Sequence, residues 1–154
     1  MKRVIEIHKK EYDKKPDVVV SAPGRFHLIG EHTWYFKDKT LSMAIDLPVF
    51  IAASARQDSS LRFYFHQINE RKRGNVSTLK FRKEDRWANA LKAVIAGFNS
   101  CGFECKGMNV TIYTEILPSA GFGITTAIKV ATALVCKTLF RHPCSDAQVL
   151  QAIE

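Results

Sequence analysis

An α+β domain is what this sequence predicts, on three observations. Runs rich in β-branched and aromatic residues recur at 17–22, 41–55, 61–66 and 108–116, each bounded by Pro, Gly or polar turn residues. Residues 83–100 and 121–140 carry apolar side chains at helical spacing. The 154 residues are 46% apolar and 25% charged, the composition of an ordinary globular chain. That length suits one domain and does not exclude a piece of a larger one. Disorder, collagen-like repeats and disulfide-dense scaffolds are excluded.

Residues 1–16 alternate charged and apolar types, as an amphipathic helix or a solvated lead-in closed by Pro16. Residues 17–22 read as a buried strand that Pro23-Gly24 breaks. The stretch 41–55 contains Pro48 and predicts strand, bend and strand. Strands are expected at 61–66 and 76–81, with the basic interval 70–75 as the hairpin loop and Gly74-Asn75 as its turn. The sheet is expected to be antiparallel there. In the helix over 83–100, Trp87, Ala90, Leu91, Val94, Ile95 and Phe98 share one face, and Gly102 supplies a C-terminal stop. Alternation over 108–116 predicts a half-buried strand. The helix from Gly121 to about Phe140 is nearly free of charge and should be buried. Ser145 and Gln148 form a capping box, each satisfying an orphan N–H at the start of a last helix.

Twenty-three Lys and Arg against fifteen Asp and Glu give a formal charge of +8. This favours anionic partners in general, and a well-solvated basic surface accounts for it equally. Arg71, Lys72 and Arg73, with Lys80, Arg82, Lys83 and Arg86 nearby, are a candidate nucleic-acid patch, although no aromatic-interleaved RNA motif or helix-turn-helix accompanies them. The four cysteines, Cys101, Cys105, Cys136 and Cys144, form no CxxC pair, which leaves a structural zinc site without support. No apolar run is long enough to span a bilayer, and the basic N-terminus has no h-region behind it. A cytoplasmic protein with reduced thiols is expected.

Two segments carry chemistry. In the first, Gly24-Arg25-Phe26-His27-Leu28-Ile29-Gly30-Glu31-His32-Thr33-Trp34-Tyr35, a guanidinium, a carboxylate and an imidazole lie close to a turn. Such groups can serve the paired donors and acceptors of a polyhydroxylated ligand. A polar connection in which Arg25 and Glu31 pair with each other is the alternative. The second is Leu117-Pro118-Ser119-Ala120-Gly121-Phe122-Gly123-Ile124-Thr125-Thr126-Ala127, between a predicted strand and a predicted helix. Small residues there let successive N–H groups point inward beside the positive end of the helix dipole, an anion cradle. The Walker pattern is absent, since no Gly-Lys-Ser/Thr closes the loop and Lys129 falls about one turn too late. Close packing of a helix on a sheet would also place glycines at this position.

The first segment resembles the galactokinase sugar-binding motif, Gly-Arg-x-Asn-Leu-Ile-Gly-Glu-His-Thr-Asp-Tyr. The second resembles the phosphate loop of the GHMP kinase superfamily, Pro-x-Gly-Ala-Gly-Leu-Gly-Ser-Ser-Ala-Ala, in the family's order and with its separation. The resemblance runs from about Val18 onward. It implies a ribosomal protein S5 domain 2-like fold, a mixed sheet covered by helices. It also implies that Arg25 lies near the transferred phosphate and is catalytic, and that Glu31, His32 and the residue at Trp34 contact the sugar. Ser119, Ala120, Gly121, Phe122, Gly123, Ile124, Thr125 and Thr126 would wrap the phosphates of ATP, with Thr125 reaching Mg2+. Phosphoryl transfer rests on positioning and charge stabilisation, which such donors supply.

The sequence departs from the motif at informative places. His27 stands at the motif's Asn and Trp34 at its sugar-binding Asp. Without that carboxylate, sugar hydroxyls lose an acceptor, so the resemblance does not fix galactose as the substrate. In the loop, Ser119 replaces a glycine and Ile124 a serine. Galactokinases place their catalytic Asp, a third motif and a C-terminal domain beyond the point where these 154 residues stop. The resemblance therefore implies an N-terminal domain, 1–154, cut within its last helix. It would be part of an ATP-dependent sugar kinase that does not turn over alone, with the missing domain supplied in cis or by a partner chain. A non-catalytic nucleotide- or sugar-binding module, or a degenerate remnant, is the alternative reading, and a basic nucleic-acid-binding domain the second.

Overall fold

The computed structural model describes residues 1–30, 39–117 and 120–153. A helix α1 (Lys2–Tyr12) precedes strands β1 (Val18–Ile29), β2 (Leu41–Ala55), β3 (Ser60–Phe65) and β4 (Glu70–Asn75). Helix α2 (Ala88–Ser100), strand β5 (Met108–Thr114) and helices α3 (Ile124–Leu139) and α4 (Asp146–Ile153) complete the chain. The five strands lie in the order β1-β2-β5-β3-β4. Only β3 and β5 run parallel; the other pairs are antiparallel, so the sheet is mixed.

Pro23-Gly24 does not end the first strand. The register passes from Pro23 opposite Pro48 to Gly24 opposite Ile45, so Asp46 and Leu47 are extra residues on β2. Neither proline has an N–H to donate to the ladder, and a bulge absorbs the mismatch while both strands continue. Gly24 is needed there, since a Cβ would lie 3.0 Å from the Leu47 carbonyl oxygen. The expected strand, bend and strand over 41–55 is thus one long bulged strand.

Helices α2, α3 and α4 cover one face of the sheet. Leu61, Phe63, Leu91, Ile95, Phe98, Ile112 and Ile128 fill the core between them. Helix α1 lies on the other face, with Val4 packed on Ala52 and Tyr113. This second cover explains why β5 is buried along its whole length rather than on alternate residues. The polar side chains of Asn109 and Thr111, on this second face, are satisfied by neighbouring side chains. Thr111 Oγ1 is 2.9 Å from His8 Nδ1, and Asn109 Oδ1 accepts from Arg56 at 3.1 Å. Alternating polarity marked a second packed layer, not solvent.

His8 is fully buried, with Nε2 3.1 Å from Ser54 Oγ. Burial lowers its pKa from 6.5 to about 4. The unfolded chain therefore takes up a proton, as pH falls through that window, that the folded chain refuses, and stability falls with it. The loss should reach about 2 kcal/mol by pH 5. Denaturant melts at pH 7 and pH 5 should show it, and His8→Gln should flatten the dependence; an unchanged slope in the variant would remove His8 as its source.

The basic interval 70–75 is strand β4 itself, not a loop, and residues 76–81 form no strand. The turn lies earlier, where the Asn69 N–H donates to the His66 carbonyl at 3.1 Å. β4 is an edge strand, where charged side chains discourage further pairing, so its basic composition suits a strand at this place. The capping box holds, with Gln148 N–H donating to Ser145 Oγ at 3.3 Å and Ser145 N–H to Gln148 Oε1 at 2.8 Å.

Candidate functional site

Strand β1 and the turn into α3 are stitched together. The Arg25 N–H donates to the Phe122 carbonyl at 2.9 Å, and the rings of Phe26 and Phe122 lie 6.0 Å apart. Gly123, the residue before α3, has φ 68° and a Cβ there would lie 3.2 Å from Arg25 Cβ and 3.7 Å from Arg25 Nε. Glycine is therefore required twice, for the left-handed backbone and for the close approach of Arg25. The exposed Arg25 side chain consequently lies beside the N-terminus of α3.

Gly123 offers no side chain to cap the helix, and no acidic residue occupies the first turn. The first-turn N–H groups thus lack a side-chain acceptor, and the positive end of the helix dipole is uncompensated. Thr125 and Thr126 expose their hydroxyls beside it. Guanidinium, N–H groups and two hydroxyls form a donor set suited to a polyphosphate and, through Thr125, to a hard cation. Lys129 takes no part, since its ammonium donates to the Ile153 carbonyl at 3.2 Å. Among the described residues no group of three His, Cys, Asp or Glu could hold a metal, and the four cysteines are free.

Beside the same helix end lies a cleft of about 240 Å³ that includes Phe65, Ile68, Arg86, Trp87, Ile124 and Thr125 in its lining. Trp87 stands edge-on to Phe65 at 5.4 Å, and its indole N–H donates to Glu70 at 2.9 Å. Trp87, on the apolar face expected of this helix, packs against the core but is only partly buried and lines this cleft. Phe98 is core as expected.

Of the expected site residues, Arg25 and the loop residues Ala120, Gly121, Phe122, Gly123, Ile124, Thr125 and Thr126 are described, and Arg25 is brought against Gly123. Glu31, His32, Trp34 and Ser119 lie outside the described residues. His27, at the motif's Asn, accepts or donates a 2.8 Å bond with Ser42 Oγ across the β1–β2 ribbon. The proposed basic patch is divided. Arg71 pairs with Glu11 at 2.6 Å and stacks on Tyr64, whereas Lys72, on the opposite face of β4, donates to the Glu84 carbonyl at 2.8 Å.

The galactokinase galactose-binding signature matches residues 6–55. A Treponema pallidum (strain Nichols) protein named as a galactokinase is 42% identical over all 154 residues, which span 39% of its own length. A galactokinase of Ligilactobacillus salivarius (strain UCC118) is 31% identical over 84% of the chain and 34% of its own length. The chain thus spans about two fifths or less of these relatives. Among solved structures, Lactococcus lactis galactokinase complexed with galactose superimposes with TM-score 0.83, at 21% identity over 98% of this chain and 40% of that one. Mevalonate kinase of Methanococcus jannaschii gives TM-score 0.73, at 19% identity over 88% of this chain and 44% of that one.

Mixed sheet, helix cover and glycine turn match the fold of the galactokinase and GHMP kinase N-terminal domain. With the galactose-binding signature and the galactokinase relatives, the chain is a galactokinase-like N-terminal domain. Among the described residues no helix is long and apolar enough to cross a membrane.

Proposed function

We propose that this domain is the nucleotide- and sugar-binding part of a cytoplasmic ATP-dependent sugar kinase. The observation that carries the reading is Arg25 held against the left-handed Gly123 at an uncapped helix end. ATP, with Mg2+, would supply the γ-phosphoryl group and offset its charge. Residues 120–126 then hold the phosphates through N–H groups and the Thr125 and Thr126 hydroxyls, Thr125 being the side chain placed to reach the cation. Arg25 draws in the charge that spreads over the phosphoryl oxygens during transfer. The apolar cleft under Trp87 takes the base, whose flat face suits an indole and an aromatic wall.

Glu31, His32 and Trp34 lie in sequence between β1 and β2 and are proposed to meet the sugar. A Trp in place of the motif's Asp stacks on an apolar sugar face instead of accepting from hydroxyls, so a sugar other than galactose is the favoured acceptor. Beyond the bulge the ribbon exposes Phe26, Leu28, Ile29, Leu41 and Met43. An exposed apolar band of this kind fits a covering domain, such as the remainder of the longer relatives, in cis or from a partner chain. The 154 residues alone are therefore proposed to bind without turning over.

Melting of the 154-residue polypeptide with and without Mg-ATP tests the reading. An upward shift in melting temperature is expected, because ligand binds the native state only. Arg25→Ala removes a charge-assisted contact and should weaken binding roughly 10- to 100-fold. Sugar-dependent ATP consumption by this polypeptide would contradict the division of labour, and equal affinity in the variant would remove Arg25 from the site.

A further inference from the structure

We propose that the cleft between the end of β4 and α2 is a second anion site, for a small molecule carrying a phosphate monoester. The cleft holds about 300 Å³, with Arg73, Thr78, Lys80, Arg82, Asp85 and Lys92 in its lining. Four cations therefore face one carboxylate, and that carboxylate is already engaged, since Lys92 donates to Asp85 at 2.5 Å. Lys92 is 3% exposed, an unusual burial for an ammonium.

Lys92 also donates to the Lys80 carbonyl at 2.8 Å. An ammonium has three protons, and the third finds no protein acceptor among the described residues. Gly74 also lines the cleft, and a Cβ there would lie 3.6 Å from Lys92 Cε, so the backbone of β4 passes close to the lysine stem. Arg73, Lys80 and Arg82 make no ion pair among the described residues, whereas Arg56 and Arg71, outside the cleft, are paired with Asp58 and Glu11. An ion pair held in the interior contributes little stability beyond what an apolar pair would give. A buried ammonium with a spare proton, ringed by unpaired cations in a concave site, is a donor set in want of acceptors.

Phosphate monoester chemistry meets that want. Its three terminal oxygens accept from forked guanidinium and ammonium groups, and it is a dianion above roughly pH 6. The concave shape and small volume favour a metabolite over nucleic acid, whose backbone needs a strip of cations along the surface. The two clefts share no lining residue, so this site does not rest on the kinase reading.

The test titrates the ¹⁵N-labelled 154-residue chain with phenyl phosphate in low-salt buffer and follows the amide resonances. Saturable shifts at Gly74, Thr78 and Asp85 are expected, weaker at pH 5 than at pH 7.5 as the dianion takes up one proton and becomes a monoanion. Lys80→Gln/Arg82→Gln should weaken them roughly 100-fold with the spectrum otherwise folded. Shifts confined to residues 121–126 would overturn this site while supporting the loop, and unchanged binding in the double variant would overturn it too. A single-stranded RNA that binds saturably and is not displaced by phenyl phosphate would assign the cations to nucleic acid instead.

Discussion

Gly123→Asp is expected to abolish the Mg-ATP-dependent rise in melting temperature while leaving the domain folded. The backbone at Gly123 is left-handed, and Asp is among the few non-glycine residues that tolerate that conformation. Asp would also set a carboxylate beside the positive end of the uncapped α3. The variant thereby fills the cradle with its own anion and repels any other. The contribution removed is about 2.7 kcal/mol at a ligand concentration of about 100 Kd, and the apo protein should stay folded but melt below the parent, since a side chain at 123 is strained by the left-handed backbone and by Arg25. A variant that stays folded and still shifts with Mg-ATP would place the nucleotide elsewhere.

Gly97→Ala is expected to destabilise the fold by about 3 kcal/mol, the upper range for a core that must accept an extra methyl. Helix propensity alone gives the opposite sign, since Ala exceeds Gly by about 1 kcal/mol in a helix interior. The structure decides the outcome, because a Cβ on Gly97 would overlap the backbone carbonyl of Ala152. Helix α4 would have to withdraw from α2, exposing Val149 and Ala152. Thermal melts should fall by roughly 6–12 °C for a domain of this size. A rise of a few degrees would contradict the close contact of α2 with α4.

The long elements were legible because their periodicity was unopposed. Leu91, Ile95 and Phe98 declared the buried stripe of α2, and the Ser145–Gln148 box marked the start of α4. The errors occurred where tertiary context overrode a local signal. Pro23-Gly24 reads as a break until a second proline, Pro48, is found opposite it at a bulge. The Arg and Lys residues of β4 read as a loop because an edge strand tolerates what an interior strand does not. Asn109 and Thr111 read as solvent-facing because nothing in their own segment announces that α1, about a hundred residues earlier, will bring His8 to meet Thr111.

The candidate site was legible in part, and for a chemical reason. A turn able to present backbone N–H groups to an anion must spend its sequence on glycine and small residues, which leaves a readable trace at Gly121, Gly123, Thr125 and Thr126, the residues proposed to hold phosphate. A base cleft needs only flat apolar walls, which core residues supply equally well. Trp87 and Phe65 therefore carried no distinct signal until the structure set them beside Thr125.

The measurement that tests the account most directly is a crystal structure of the 154-residue polypeptide with Mg2+ and a non-hydrolysable ATP analogue. The account predicts phosphate density at the N-terminus of α3, within reach of Arg25 and the Thr125 hydroxyl, and the base in the cleft beneath Trp87. Density at the basic cleft around Lys92 alone, with residues 121–126 bare, would contradict it.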